Sequence, residues 1–140
     1  MFNNSENMVV TSSGTGTFEG NGNIWWGIPG IGYLVRQGNR PHLFNLGSSN
    51  NTLVENIFFH NSPQYTFFAH DVDGLEVRNS HIDNRRTKAD KHTWLDLTAF
   101  NTDGFDVNGK NVWIHDCSVW NQDDSFCVKG NSENMLFERI

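Results

Sequence analysis

Four segments of the 140-residue sequence repeat one pattern, and their spacing constrains the fold more than any other feature. They are TLVENIFF (Thr52–Phe59), GLEVRNSHI (Gly74–Ile82), NVWIHDCSV (Asn111–Val119) and NMLFERI (Asn134–Ile140). Val54, Val77, Ile114 and Phe137 take one equivalent position, at separations of 23, 37 and 23 residues. The value 37 is one 23-residue period plus 14 residues, and the extra length falls in Asp83–Phe100. Asn56, Asn79 and Asp116 fall in register, as do Phe59, Ile82 and Val119. The run Asn4-Ser5-Glu6-Asn7-Met8 reads the same as Asn131-Ser132-Glu133-Asn134-Met135. A fixed period of this length, built from short β-type runs, predicts a solenoid whose coils stack at about 4.8 Å. The architecture expected is an all-β, right-handed parallel β-helix. Val54, Val77 and Ile114 should face its interior, and Asn56, Asn79 and Asp116 should sit at a sharp corner, because Asn and Asp tolerate left-handed backbone. A sandwich or barrel would not require a constant period.

Composition agrees. Asn occurs 19 times, Gly 13 and Phe 11, with only 3 Pro. No stretch has a 3.6-residue apolar period, so little helix is expected. Residues 1–140 read as one domain with an inserted loop at about 83–100. The charge balance is acidic, 16 Asp plus Glu against 10 Lys plus Arg. That argues against nucleic acid or a membrane surface as partner. No apolar run reaches the length of a membrane span, and the N-terminal residues have no signal-peptide pattern. A monomer is expected.

The stretch Asn101–Gly130 carries the chemistry. Asp103 stands 20 and 21 residues ahead of the adjacent pair Asp123 and Asp124. If the strand-like run between them is one coil, all three carboxylates return to one side of the molecule. Gathered carboxylates repel one another, and general acid–base catalysis is one use of the resulting spread in acidity. Two solvated Asp turns one coil apart are the plainer alternative. The insertion holds Arg85, Arg86, Lys88 and Lys91, four of the ten basic residues. It is either a solvated loop or a basic overhang that draws an anionic substrate to the carboxylates.

The remaining features are less decisive. Trp25-Trp26 either packs beneath a loop or stacks on a sugar ring, within an excursion over Asn23–Gly38. Six scattered histidines have no zinc-site spacing. The acidic groups, Asp71 and Asp73 included, lack an EF-hand pattern, so no metal or other cofactor is expected. There is no Walker loop, no Gly-x-Ser-x-Gly and no dinucleotide fingerprint. Cys117 and Cys127 read either as a bridge or as two buried thiols. Asn3-Asn4-Ser5 and Asn50-Asn51-Thr52 both fit the N-glycosylation pattern.

Asn101-Thr102-Asp103, followed one coil later by Gln122-Asp123-Asp124, resembles the paired motifs of the polygalacturonase family, glycoside hydrolase family 28. Asp116-Cys117, Gly20-Asn21-Gly22 with Trp25-Trp26, Arg40-Pro41 and Asn61-Ser62-Pro63 resemble its landmarks in the same order. The resemblance implies a pectin-lyase-like β-helix that hydrolyses pectic polysaccharide with inversion, secreted and without a cofactor. It implies Asp123 as the general acid, Asp103 and Asp124 as the groups that activate water, and Asn101 and Gln122 as substrate contacts beside the basic insertion. Three departures accompany it. Ser125 stands where the family has Cys. The family's Gly-His-Gly and Arg-Ile-Lys motifs are not found, since Arg139-Ile140 lies too early for the latter. A truncated β-helix, an N-terminal-to-middle piece of a longer enzyme, is therefore expected. A non-catalytic carbohydrate-binding or adhesion module on the same scaffold is the first alternative. A calcium-dependent polysaccharide lyase is the second.

Overall fold

The computed structural model describes residues 1–27, 39–87 and 89–140. The Gly-Ile-Pro-Gly-Ile-Gly motif of the expected excursion and Lys88 lie outside them. Ten strands pair, all in parallel: β1 (Phe2–Asn3), β2 (Glu6–Glu19), β3 (Phe44–Gly47), β4 (Asn50–His60), β5 (Phe67–Arg78), β6 (His81–Asp83), β7 (Phe105–His115), β8 (Ser118–Trp120), β9 (Phe126–Val128) and β10 (Glu133–Glu138). The chain is a parallel β-helix with three faces. The first face stacks β1, β3, the start of β5, the start of β7 and β9. The second stacks the start of β2 and of β4, the end of β5 and of β7, and β10. The third stacks the ends of β2 and β4 with β6 and β8.

The register is the one the sequence period predicts. Val54 pairs with Val77, Val77 with Ile114, and Ile114 with Phe137. Phe59 pairs with Ile82, and Ile82 with Val119. The expected corner is present, with Asn56, Asn79 and Asp116 at φ 57°, 48° and 51°. Parallel stacking puts like on like, so the interior is built of ladders. One runs Phe44, Phe67, Phe105, Phe126, with successive ring centroids 4.8, 5.5 and 5.6 Å apart. Offset and tilted contacts at such distances contribute beyond the apolar area they bury.

A second corner carries its own ladder. Asn7, Asn51, Gly74, Asn111 and Asn134 all have positive φ. Their amides link up the stack: Asn51 donates to Asn7 and Asn134 to Asn111, each at 2.7 Å. Gly74 has no side chain to continue the row, and Asn111 donates instead to Asp73 at 2.7 Å. Identical αL corners therefore fix each coil's path and tie it to its neighbours.

The extra residues of the third coil leave the strands undisturbed. They form the connection between β6 and β7. Asp96 is its internal anchor: although burial opposes ionisation, hydrogen bonds from Thr93 and Thr87 hold its carboxyl down to about 2.

One ladder position goes against its surroundings. Thr52 stacks between Met8 and Leu75, is buried, and its hydroxyl has no partner. A buried hydroxyl left unpaired costs about 1–3 kcal/mol. Thr52→Val keeps the shape and removes that group, so it should raise the thermal midpoint, by about 1 kcal/mol in stability. A lower midpoint in a calorimetric scan would contradict this.

Candidate active site

The three aspartates come together where the third face turns back to the first. Asp103 lies in the segment entering β7, and Asp123 and Asp124 lie in the turn between β8 and β9, one coil on. One oxygen from each of the three lies within 4.8 Å of those of the other two. Asp103 is buried, at 5% exposure, while Asp123 and Asp124 are exposed. On a strand two adjacent residues point to opposite faces. Here they share the cleft because they sit in a turn.

Backbone bonds lock the two loops together. Gly104 N–H donates to the Asp124 carbonyl at 2.9 Å, and Phe105 N–H to that of Ser125 at 3.0 Å. Gln122 N–H donates to the buried Thr102 hydroxyl at 3.1 Å. The Asn101 N–H reaches the Asp123 carboxylate itself, at 3.0 Å, as does the Asp124 N–H. The loops approach so closely that a Cβ at position 104 would lie 2.5 Å from the Ser125 carbonyl oxygen, which explains the glycine there. Buried Asn121 closes the turn, its amide donating to the carbonyls of both Asp123 and Asp124 at 2.9 Å.

Electrostatics singles out Asp103. Burial, then the charges of Asp106 and Asp123, push its carboxyl up to about 7. One of its oxygens is buried without a hydrogen-bond partner. The trio's spacing differs from the expectation for an inverting pair, roughly 6.5–9.5 Å between carboxyl groups. On the line between oxygens no more than 4.8 Å apart, a water would sit about 2.4 Å from each, closer than a hydrogen bond allows. A water displaced to the side can still donate to two of them at ordinary distance. The same oxygens could also converge on a cation.

The other expected site residues divide. Asn101 works through its backbone, as above. The Gln122 side-chain amide stands 3.0 Å from His92 Nδ1. Exposed Lys91 lines a cavity of about 410 Å³ with His92, Trp120, Asn121 and Ser125, alongside the Asp123–Asp124 turn. Arg85 and Arg86 depart from the expected substrate-facing role. Arg85 grips Asp83 and lies 4.6 Å over the Trp120 ring, while Arg86 bonds to the Gly27 carbonyl and to Thr98. Both hold the insertion against the coil. Trp26 is buried and donates to the Ser62 carbonyl at 3.0 Å, which is the packing reading of that pair. Both cysteines are free thiols; Cys117 is buried, whereas Cys127 is half-buried and lies near Asp103 and Asp106. Arg139 pairs with Asp116 across one coil.

Sequence reasoning passed over Asn84, Asn121, Asp106 and Lys129. The first two were within its reach, because Asn61, Asn84 and Asn121 repeat at 23 and 37 residues, the same offsets as the core ladder. Buried Asn84 accepts from Ser62 N–H at 2.8 Å and donates to Thr66 at 2.7 Å, bracing the coil below the site.

The fold and site define a β-helix with a carboxylate cluster on one corner. The chain matches Glycosyl hydrolases family 28 over residues 1–140 and belongs to that family. It is 31% identical over 116 residues to rhamnogalacturonase A of Aspergillus niger, covering 81% of this chain and 23% of the relative. It is 30% identical over 140 residues to the probable rhamnogalacturonase E of the same organism, 97% and 28%. An exopolygalacturonase of Cochliobolus carbonum is 32% identical over 129 residues, 91% and 26%. The chain thus spans about a quarter of the length of these curated relatives. No solved structure matches it significantly.

The raised Asp103 has a consequence for folding. Between the ordinary carboxyl value of 3.8 and about 7, the unfolded chain has released this proton while the folded chain keeps it. Stability therefore falls as pH rises through that window, by of order 4 kcal/mol if Asp103 alone carries the shift. Asp103→Asn should flatten the slope and be more stable than the parent at about pH 8, measured by urea titration at several pH values. An unchanged slope would contradict the assignment.

Proposed function

We propose that the protein carrying this chain hydrolyses glycosidic bonds of a pectic polysaccharide, as a polygalacturonase-like enzyme acting outside the cell. The observation that carries the reading is the convergence of Asp103, Asp123 and Asp124 within 4.8 Å on a rigid coil corner, together with membership of the family. The printed names of the relatives include both rhamnogalacturonase and exopolygalacturonase. They support a galacturonate-containing chain as the substrate class.

In this reading the trio shares one proton. At rest it sits on Asp103, the buried member, up to a pH of about 7. Asp123 is exposed at the cleft surface and can reach a glycosidic oxygen. Entry of substrate draws the proton to Asp123, which gives it to the leaving oxygen as general acid. Asp103 is then a carboxylate beside Asp124, and the two together hold and deprotonate a water for attack on the opposite side of the anomeric carbon. Strongly interacting carboxyls titrate as a unit, so the proton belongs to the cluster. Aromatic side chains continue the cleft from Asp103 along the outside of the first face. His42 stacks on Tyr65 at 4.8 Å and meets Phe68 edge-on at 4.9 Å. Such a stripe suits the apolar faces of sugar rings.

The complete gene product should release reducing ends from polygalacturonate or from a rhamnogalacturonan. Asp123→Asn should lower kcat by about 10³-fold, within the usual worth of a general acid, and leave the thermal unfolding curve in place. Undiminished activity in that variant would overturn the assignment.

A further inference from the structure

Beneath the trio lies a buried ion pair that the proposed chemistry does not use. Asp106 stands three residues beyond Asp103, on the outer side of β7, and is fully buried. Its Oδ1 lies 2.5 Å from Lys129 Nζ, and its Oδ2 has no hydrogen-bond partner. Lys129 follows β9, one coil on. Its ammonium also donates to Cys127 Sγ at 2.9 Å and lies 5.2 Å from the centre of the Tyr65 ring. One oxygen each of Asp103 and Asp106 and the Cys127 sulfur lie within 4.8 Å of one another. That constellation has the donor atoms of a cation site, and an ammonium is already bonded to two of its three members.

We propose that Lys129 and Asp106 form a positioning pair for Asp103, fixing its carboxyl from below and tuning its acidity through the balance of their two charges. The proposal rests on Asp103 being a member of the reacting trio. Two buried carboxylates this close resist simultaneous ionisation, so Asp106 favours the protonated form of Asp103. Lys129 opposes that effect and offsets the burial of Asp106, which would otherwise be an isolated charge in an apolar wall. Both influences on Asp103 are present, Asp106 raising and Lys129 lowering its value. The other groups facing Asp103 are Asp123 and Asp124 from the turn after β8, Cys127 on β9, and Tyr65 from the segment before β5, with His42 stacked behind it. Lys129 is the cation that bears on Asp103 among these groups.

The two partners predict opposite effects, which separates tuning from a merely structural role. The measurement is a ¹³C NMR titration of labelled Asp carboxyls, with the Asp103 signal assigned by its loss in Asp103→Asn. In Lys129→Met the Asp103 transition should move to higher pH, and in Asp106→Asn to lower pH, each by about one to two pH units. Lys129→Arg should stay within about half a unit of the parent. The pH dependence of kcat should move in the same directions. If Lys129→Met fails to fold, the double variant Lys129→Met with Asp106→Asn removes both charges together, and its Asp103 should titrate as in Asp106→Asn alone. An Asp103 transition that is unmoved, or moves the same way in both single variants, would overturn the proposal. The titration needs no turnover, so a protein with the predicted shifts and no hydrolysis would sink the hydrolase reading alone.

Discussion

In-register parallel pairing is the interaction on which the rest of the structure depends. Each strand bonds to its equivalent one coil away, so every side chain meets its own counterpart. The arrangement works only if each coil turns at the same places. The αL residues supply that: Asn56, Asn79 and Asp116 at one corner, and Asn7, Asn51, Gly74, Asn111 and Asn134 at another. Non-glycine residues rarely adopt this backbone, and Asn and Asp are the least penalised of them. Their side chains recover part of the cost by bonding along the stack. An interior of Phe, Val, Leu and Ile ladders then follows from the register.

Function is placed where that constraint is loosest. The connection from the third face back to the first is the one whose length varies, and the third coil enlarges it without shifting a strand. Asp103 leaves the long version of this connection, and Asp123 and Asp124 occupy the short version one coil later. Their backbones are nevertheless held tightly, by bonds between the loops and by Asn121. The result is a mobile-length loop with a fixed-geometry base, which suits groups that must be preorganised against their own repulsion. Asp103 shows what that repulsion costs, since burial and like charge hold its proton on to about 7. Lys129 sits where it limits that cost.

Much of this was legible in the sequence, because a repeat makes contact prediction a matter of subtraction. The offsets of 23 and 37 residues gave the pairs Val54–Val77 and Val77–Ile114, the first corner, and the meeting of Asp103 with Asp123 and Asp124. The second corner was visible only at its ends, in Asn7 and Asn134, because Gly74 interrupts the row. Charge was the least legible property. Arg85 and Arg86 stood out in an acidic chain, yet one is bound to Asp83 and the other to Gly27 and Thr98. A side chain that long finds partners within its own loop, and periodicity carries no information about which. Asp106 and Lys129 went unnoticed for the converse reason: their pairing crosses between coils at positions that do not repeat.

The account stands or falls on where the attacking water is held. With Asp103 and Asp124 supporting it and Asp123 protonating from the other side, bond cleavage must invert the anomeric centre. The decisive measurement is the anomeric configuration of the first-formed product, followed by ¹H NMR within minutes of adding enzyme to a defined pectic oligosaccharide. The account predicts a product of configuration opposite to the bond cleaved, equilibrating later by mutarotation. A first product with retained configuration would contradict it, and would make one of the three carboxylates a nucleophile.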